Sequence, residues 1–293
     1  MPTTRAHHVD SHLHLSRWWP DLVHTAYRAD LDYSVTGLLT EMKKNYIDDG
    51  LVIQIYESPN PRVALEESRS IEEASGGRLH PVVTVDPTRG RETLDEALRM
   101  WETEPHLAGI KLFPGYLSFY PHDPRLDPLY EFAHRRRLPV LVHQGDTLDR
   151  KGLVKFARPI ELDEVAVRWP DVRFVLCHFG NPWVEEASEV VYKNENVYAD
   201  TSGLLPHTSA PYFHRALAQC RRRLQQAIVA VGHSDRILYG SDWPLEELSV
   251  ATSLVQGLEL PAADLGKILG DNARRLFGLP DRSSSGPAPA PTA

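Results

Sequence analysis

A run of five residues near the N-terminus contains two histidines whose side chains suit a metal site. The run Asp10-Ser11-His12-Leu13-His14 follows an apolar residue, Val9. In an extended strand alternate side chains share one face, so His12 and His14 point the same way with backbones about 6–7 Å apart. Two imidazoles at that spacing can bind one divalent cation. A lone His-x-His pair is weak evidence, because histidine pairs more often serve packing or surface roles.

Three further candidate ligands close other apolar runs: His143 follows Val-Leu-Val, His178 follows Val-Leu-Cys, and Asp242 follows Tyr-Gly-Ser. If these runs are strands of one barrel, their C-terminal ends meet around a single axis. Neutral histidines with one carboxylate form a nitrogen and oxygen set that suits zinc, and iron, manganese, cobalt or nickel are also compatible. The sequence therefore predicts a divalent metal centre at the strand ends.

Two more carboxylates are placed near this centre by the pattern. Asp10 shares the parity of His12 and His14 in the strand, which predicts that it points inward and orients a ligand. Asp200 ends the run Val-Tyr-Ala-Asp, and we interpret it as a hydrogen-bonding or substrate-facing group rather than a ligand.

Eight short runs rich in β-branched residues are the elements that must position these groups. The predicted strands cover 7–15, 50–56, 79–86, 107–114, 138–145, 172–180, 196–203 and 236–244. Such runs, closing on Gly, Pro or Asp, are typical of strands buried on both faces of a parallel sheet. Segments with helical periodicity lie between and after them, at 34–47, 61–75, 90–104, 127–137, 159–169, 182–193, 211–232, 245–257 and 261–277. Eight repeats of strand and helix predict an α/β protein, a single (β/α)8 TIM barrel over residues 1–280.

Two predicted connections are longer than a barrel needs and are rich in aromatic residues. The stretch 16–33 follows the first strand, and the stretch 115–126 follows the fourth. Both leave the C-terminal face, where barrel enzymes build their sites, so they are predicted to form pocket walls. With Trp243 beside Asp242 and a lysine in the fourth strand, the predicted substrate-binding residues are Arg17, Trp19, Lys111, Tyr116 and Trp243. The alternative is that the aromatic residues only cover the barrel rim.

Composition restricts the class of partner. The 293 residues carry a formal charge of −8 with dispersed basic residues, so nucleic acid is an unfavourable partner. No stretch approaches the roughly 20 apolar residues of a membrane helix, and the N-terminus lacks a signal-peptide core. The two cysteines, Cys177 and Cys220, suit packing in a reducing compartment. We expect a cytoplasmic protein with a small-molecule substrate, possible assembly as a homodimer, and a disordered tail over 281–293.

The motifs together resemble those of the amidohydrolase superfamily, in particular the amidohydrolase-related branch of metal-dependent hydrolases and of aminocarboxymuconate-semialdehyde and resorcylate decarboxylases. The resemblance extends from Val9–His14 through Gly109-Ile110-Lys111-Leu112-Phe113-Pro114 to the closing segment at 272–279. It implies that His12, His14, His143 and Asp242 bind the metal. It also implies catalytic roles for His178 and for Asp242, which would then have two functions.

Lys111 leaves the number of metal ions open. Some superfamily members use a carbamylated lysine on the fourth strand to bridge two metals, and this chain has a lysine there. The surrounding sequence resembles the mononuclear branch, which favours one Zn²⁺ and an unmodified Lys111 that binds a substrate carboxylate. Pairing of Lys111 with an internal carboxylate is a third interpretation.

Three functions are compatible with these residues. The leading prediction is a metal-dependent hydrolase that uses metal-activated water on a C–O or C–N bond of a small carboxylated or cyclic substrate, such as a lactone or amide. The alternative is a non-oxidative decarboxylase of an aromatic or unsaturated carboxylic acid. The second alternative is a metal-free, non-enzymatic binding barrel. A serine-nucleophile hydrolase and a nucleotide-binding protein are disfavoured, because neither a Gly-x-Ser-x-Gly elbow nor a P-loop or Gly-x-Gly-x-x-Gly fingerprint is present.

Overall fold

Eight parallel strands follow one another around the sheet in the order of the chain. The computed structural model describes residues 6–58, 60–206 and 208–280. Each predicted strand is present but shorter than predicted, and the predicted (β/α)8 barrel is confirmed. The strands are β1 Val9–Leu13, β2 Asp49–Ile53, β3 Leu79–Thr84, β4 Gly109–Leu112, β5 Val140–Val142, β6 Phe174–Leu176, β7 Val197–Asp200 and β8 Ile237–Leu238.

The barrel closes through the residues that carry candidate ligands. The segment after β8 meets β1 through three backbone hydrogen bonds. The Ser11 N–H donates to Tyr239 O at 2.9 Å, the His14 N–H donates to Trp243 O at 2.8 Å, and the Asp242 N–H donates to His12 O at 2.8 Å. The register of β1 against β2 also shifts between Asp10 and Leu13. Such irregularities redirect side chains, and here the irregularity lies within the histidine motif.

Helices surround the strands. They are α1 Pro20–Arg28, α2 Val35–Lys44, α3 Pro61–Ala74, α4 Arg91–Glu102, α5 Asp127–Arg136, α6 Glu161–Arg168, α7 Val184–Lys193, α8 Phe213–Val231, α9 Leu248–Gln256, α10 Ala262–Gly266 and α11 Asn272–Phe277. Helix α1 corrects the interpretation of 16–33 as a plain connection. Pro20 occupies its first turn, and its buried side chains, Leu22 and Ala26, are spaced four apart, too short a pattern to stand out in the sequence.

Strand side chains alternate between two apolar layers. Leu51, Leu141 and Val175 belong to the cluster inside the barrel. Their neighbours Val52, Val140, Val142, Phe174 and Leu176 belong to the layer between the sheet and the helices. This period of two fixes which residues of each strand point inward. In β4 it directs Lys111 and the adjoining Phe113 into the barrel.

Two predictions concern residues outside the described part of the chain. One is the disordered tail 281–293. The other is His207, which the sequence places after the seventh predicted strand and therefore near the site. Within the described residues, none of the helices combines the length and the apolar character that crossing a membrane requires.

Candidate metal centre and active site

A cavity of about 1210 Å³ opens at the C-terminal ends of the strands. His143, His178 and Asp242 lie in its wall together with Trp19 and Tyr116. His143 directly follows β5, and His178 and Asp242 lie in the turns after β6 and β8. His12 and His14 lie at the end of β1, both buried. The structure therefore brings all five predicted metal or catalytic residues to one end of the barrel.

His12, His14 and Asp242 form the closest group of candidate ligands. Oδ1 of Asp242 lies 3.2 Å from Nε2 of His14 and 3.5 Å from Nε2 of His12. Nε2 of His12 and Oδ1 of Asp242 are buried and have no hydrogen-bond partner within the described part of the chain. Buried polar atoms normally have partners, so these two atoms mark a site that a further group can satisfy.

The other ring nitrogen of each histidine is held by the protein. Nδ1 of His12 lies 2.9 Å from Oδ2 of Asp200 and 3.0 Å from Oγ of Ser202. Nδ1 of His14 lies 3.2 Å from the carbonyl oxygen of Ile53. Metal-binding histidines usually donate their second N–H to a carboxylate or a carbonyl, which fixes the tautomer and leaves a lone pair toward the metal. His12 and His14 have this arrangement.

His143 and His178 are bonded to each other. Nε2 of His178 lies 3.0 Å from Nδ1 of His143, whose Nε2 lies 2.8 Å from the carbonyl oxygen of Asp146. Within the described residues, the ligand atoms of His12, His178 and Asp242 lie within 4.8 Å of one another, and the same holds for His12, Cys177 and Asp200. The structure therefore places His178 as close to the candidate site as the predicted ligands. His143 would exchange one of its two hydrogen bonds to bind a metal.

Burial sets the charge of the cluster. It lowers the pKa of His12 to about 3, with the positive charge of Lys111 adding to the effect. Burial also lowers the pKa of His143 and of His178, so these rings are neutral near neutral pH. Burial opposes ionisation of Asp242, but the nearby His14, His12 and His178 outweigh it and lower the pKa of that carboxyl. Neutral imidazoles and one carboxylate are the protonation states that bind a divalent cation.

Asp10 connects the two segments that carry ligands. Its Oδ1 accepts hydrogen bonds from the backbone N–H groups of His12 and Ser241, each at 3.0 Å. Burial raises the pKa of Asp10 to about 7. Asp10 thus fixes the backbone beside His12 and Asp242, and it does not touch the histidine rings through any bond the structure records.

The turns after β6 and β8 have an uncommon backbone conformation. His178 and Asp242 have φ values of 59° and 64°, in the left-handed region that residues other than glycine seldom adopt. Gly203, with φ +60°, lies against both residues. A Cβ atom at this position would come within 2.7 Å of Nδ1 of His178 and 2.9 Å of Oδ2 of Asp242. A glycine is therefore required here.

Aromatic rings form the wall beside the cluster. The ring of Tyr116 lies 4.7 Å from that of His143 and 6.2 Å from that of Trp19, between ring centroids. Trp19 lies 5.9 Å from His14, and Tyr56 lies 5.8 Å from Tyr116. The two predicted wall residues, Trp19 and Tyr116, thus lie next to the candidate ligands, and Tyr56 extends the aromatic surface.

Three predicted substrate-binding residues are not in this wall. Lys111 is fully buried in the barrel, and its ammonium donates to Sγ of Cys177 at 2.9 Å, because its inward position in β4 is below the cavity floor. Arg17 is mostly exposed and extends toward Glu67, since it lies before α1 on the outer surface. Trp243 is buried and stacks on Tyr33 with ring centroids 5.4 Å apart. The structure therefore places these three side chains outside the cavity lining, and their direct contact with substrate stays a prediction.

Three residues of the site were not predicted as functional residues from the sequence. Ser202 and Gly203 fall in the predicted strand 196–203 and Glu246 in the predicted helical segment 245–257, but the structure places all three in loops, because β7 ends at Asp200 and α9 begins at Leu248. Ser202 bridges rings: its Oγ lies 3.0 Å from Nδ1 of His12 and 2.9 Å from Nδ1 of His178. A hint was available, since 201–203 follow β7 at the active face of the barrel.

A metal ion fits the residues present. The two orphaned atoms, Nε2 of His12 and Oδ1 of Asp242, lie close together, and three or more nitrogen and oxygen donors surround them. The fold and this site define a barrel with a candidate divalent metal site, of the type in which loops at the strand ends carry the chemistry.

The chain belongs to the amidohydrolase family, whose family model matches residues 9–279. It is 36% identical over 133 residues to a gamma-resorcylate decarboxylase of Rhizobium radiobacter, and the match covers 39% of this chain and 36% of that relative. The chain therefore aligns with little more than a third of that protein. Family membership supports an enzyme over the metal-free binding barrel.

Two solved structures have the same fold. A zinc-bound amidohydrolase of Burkholderia multivorans is 20% identical, with a TM-score of 0.72, covering 94% of this chain and 100% of that chain. A 2,6-dihydroxybenzoate decarboxylase of Rhizobium is also 20% identical, with a TM-score of 0.64, covering 94% of this chain and 99% of that chain. At this identity the likeness establishes the architecture.

Proposed function

We propose that the protein is a metal-dependent, non-oxidative decarboxylase of an aromatic or unsaturated carboxylic acid. The observation that supports this most is the aromatic wall of Trp19, Tyr56 and Tyr116 directly beside the histidine and aspartate cluster. A planar acid could stack on this wall with its carboxylate toward the cluster. The sequence match to a gamma-resorcylate decarboxylase favours the same reaction over the hydrolase that the sequence analysis put first.

In this proposal His12, His14 and Asp242 hold one divalent ion, with His143 completing the set. Zinc suits these donors, and manganese, iron, cobalt and nickel are also compatible. The bound ion would supply a Lewis acid that holds and polarises an oxygen of the substrate. Asp200 and the carbonyl of Ile53 keep the two strand β1 histidines in the required tautomer.

Proton transfer is assigned to His178 and Asp242, which both line the cavity. Decarboxylation breaks the bond between the ring carbon and the carboxylate, releases carbon dioxide, and leaves the electron pair on that carbon. A proton must then be delivered there. His178, neutral in the free protein, would take up a proton from water in the cavity and deliver it to that carbon, and the ionised Asp200 would stabilise the transient positive charge through Oγ of Ser202, which lies 2.9 Å from Nδ1 of His178.

The test compares two reactions on one preparation. Zinc-loaded protein is incubated with carboxyl-labelled hydroxybenzoates and unsaturated acids, and labelled carbon dioxide is measured by mass spectrometry. A parallel panel of lactones, esters and amides is followed by acid release. Running the decarboxylation in heavy water should place one deuterium on the carbon that lost the carboxylate. We expect labelled carbon dioxide that disappears with the metal.

Two variants identify the source of the activity. His178→Ala should abolish carbon dioxide release, whereas His134→Ala, at an exposed position of α5, should retain it. Metal-dependent acid release without any carbon dioxide would refute the decarboxylase and restore the hydrolase. Activity that survives His178→Ala would refute the proton-transfer assignment.

A further inference from the structure

A carboxyl group that the proposed reaction does not use lies in the cavity wall. Glu246 follows Asp242 by four positions, lines the cavity and is 6% exposed. Its Oε1 accepts a hydrogen bond from the backbone N–H of Leu205 at 2.5 Å. Its Oε2 is buried and has no partner among the described residues. A buried polar atom without a partner costs free energy, so a wall position of this kind favours a ligand that can pair with it.

The charges around the cavity are predominantly negative. Six carboxylates line it, namely Asp21, Glu57, Asp146, Asp149, Asp242 and Glu246, against two arginines, Arg28 and Arg150. Both arginines are exposed, as are Asp21, Glu57, Asp146 and Asp149, and water and salt screen all of them. The buried acidic groups of the lining are Asp242 and Glu246. The buried cation near the cluster, Lys111, directs its ammonium to Cys177. Among the described lining residues there is thus no buried cation to pair with a second anionic group of a substrate.

We propose that Glu246 is a substrate-positioning residue that hydrogen-bonds an uncharged polar substituent, so that the site selects a hydroxylated monocarboxylate over a dicarboxylate of the same size. The inference rests on the proposed function for the location of the first carboxylate at the cluster. A hydroxyl can both donate to and accept from a carboxyl group. A second carboxylate in its place would be desolvated beside Glu246 and Asp242 without a compensating charge.

The ionisation state of Glu246 agrees with this geometry. Burial raises the pKa of the carboxyl well above its usual range, and the negative charge of Asp242 raises it further, against the opposing hydrogen bond from Leu205. A neutral carboxyl offers a donor as well as an acceptor at Oε2. The discrimination does not depend on this, because an ionised Glu246 would repel a second carboxylate.

The test measures binding, which is independent of turnover. The probes are benzoate, the hydroxybenzoates and the matching benzenedicarboxylates, which differ by one group at one ring position. They are titrated into zinc-loaded protein by calorimetry, with tryptophan fluorescence as a second readout because Trp19 lines the cavity. We expect at least one hydroxybenzoate to bind about tenfold or more tightly than its dicarboxylate counterpart, the size typical of one satisfied buried polar group.

Variants at Glu246 locate the effect. Glu246→Leu should weaken the preferred hydroxybenzoate about tenfold, leave benzoate unchanged, and raise KM more than it lowers kcat on any substrate turned over. Glu246→Gln, which keeps a donor and an acceptor, should retain most of the affinity and guards against misfolding of the leucine variant. Glu247→Gln is the matched control, since Glu247 accepts from Oγ1 of Thr208 at 2.8 Å and is not a wall residue.

Three outcomes would overturn the inference. The first is equal affinity for a hydroxybenzoate and its dicarboxylate counterpart. The second is an equal loss of benzoate and hydroxybenzoate binding in Glu246→Leu. The third is no loss of either in that variant, which would mean that water satisfies Oε2. Selective binding without carbon dioxide release would refute the decarboxylase and leave the role of Glu246 standing. Carbon dioxide release without selectivity would refute the role of Glu246 and leave the decarboxylase standing.

Discussion

The carboxylate of Asp200 accepts a hydrogen bond from Nδ1 of His12, with 2.9 Å between Nδ1 and Oδ2. Burial and the neighbouring groups act in opposite directions on the pKa of Asp200. Burial raises its pKa, but the adjacent His12, together with His178 and the ammonium of Lys111, outweighs burial and lowers the pKa, so Asp200 is ionised. Its Oδ1 also accepts from the backbone N–H of His178 at 2.8 Å. One carboxylate therefore orients residues from β1 and from the turn after β6.

Asp200→Asn should weaken metal binding without removing a ligand. The amide has almost the same shape but offers a neutral acceptor to His12, so the preference for the required tautomer falls. Loss of such an outer partner typically costs about 10- to 100-fold in metal affinity. Competition with a chelator of known zinc affinity measures the change. Asp163→Asn, at a surface carboxylate paired with Lys193, is the control, and an equal loss there would contradict the prediction.

The ligand and catalytic assignments can be separated by metal analysis. His12→Ala and Asp242→Ala should lose both bound metal and activity. His178→Ala should keep most of the metal and lose about 10²–10⁴-fold in rate, as expected for removal of a proton-transfer group. Elemental analysis of each purified variant gives the metal content. Metal loss in His178→Ala with full retention in His143→Ala would exchange the roles of these two histidines.

Gly203→Ala should impair the site by crowding. Its Cβ would lie 2.7 Å from Nδ1 of His178 and 2.9 Å from Oδ2 of Asp242. Displacing such groups by around 1 Å can cost about 10²-fold in kcat/KM. Gly278→Ala is the matched control, because Gly278 has φ +66° and nothing within 4 Å of the new Cβ. Both variants carry the same backbone strain, so an equal loss of kcat/KM would mean that strain alone is responsible.

Lys111→Met should leave KM for a carboxylated substrate within about twofold, because the ammonium contacts Cys177 inside the barrel. A buried cation can often be replaced by an apolar residue of similar volume without loss of stability. The charge of Lys111 lowers the pKa of His12, so its removal should raise that pKa. Because that pKa is about 3 in the wild type and is set mainly by burial, His12 should stay neutral between pH 6 and pH 8, and zinc affinity should rise at both pH values since a nearby positive charge no longer repels the cation. A large KM increase would reinstate direct carboxylate binding.

Metal removal should lower thermal stability as well as activity. A ligand that binds only the folded state stabilises it by mass action, so stripping zinc with a chelator should lower Tm, and adding zinc back should restore it. The thermal melt of His12→Ala should be insensitive to both treatments. A wild-type Tm that does not respond to zinc at saturating concentration would argue against a metal at this cluster.

Much of the architecture was determined locally by the sequence. Short apolar runs, each followed by turn-forming residues and separated by helical segments, predicted eight strands. The reason is that a strand buried on both faces must be apolar along its length. His12, His14, His143, His178 and Asp242 could be placed at one end of the barrel, since parallel strands fix where chains leave the sheet. The predicted family follows from the order of the same motifs.

Tertiary structure decided what each of these residues touches. The alternation of side chains along β4 directs Lys111 inward, but its depth depends on where β4 ends relative to β6, and its ammonium contacts Cys177. Arg17 and Trp243 lie outside the cavity lining for a similar reason, because the ion pair with Glu67 and the stacking on Tyr33 set their directions. The sequence pattern placed Ser202 and Gly203 in a strand and Glu246 in a helix, whereas the structure has all three in loops. Their roles arise from contacts between loops that only the closed barrel brings together.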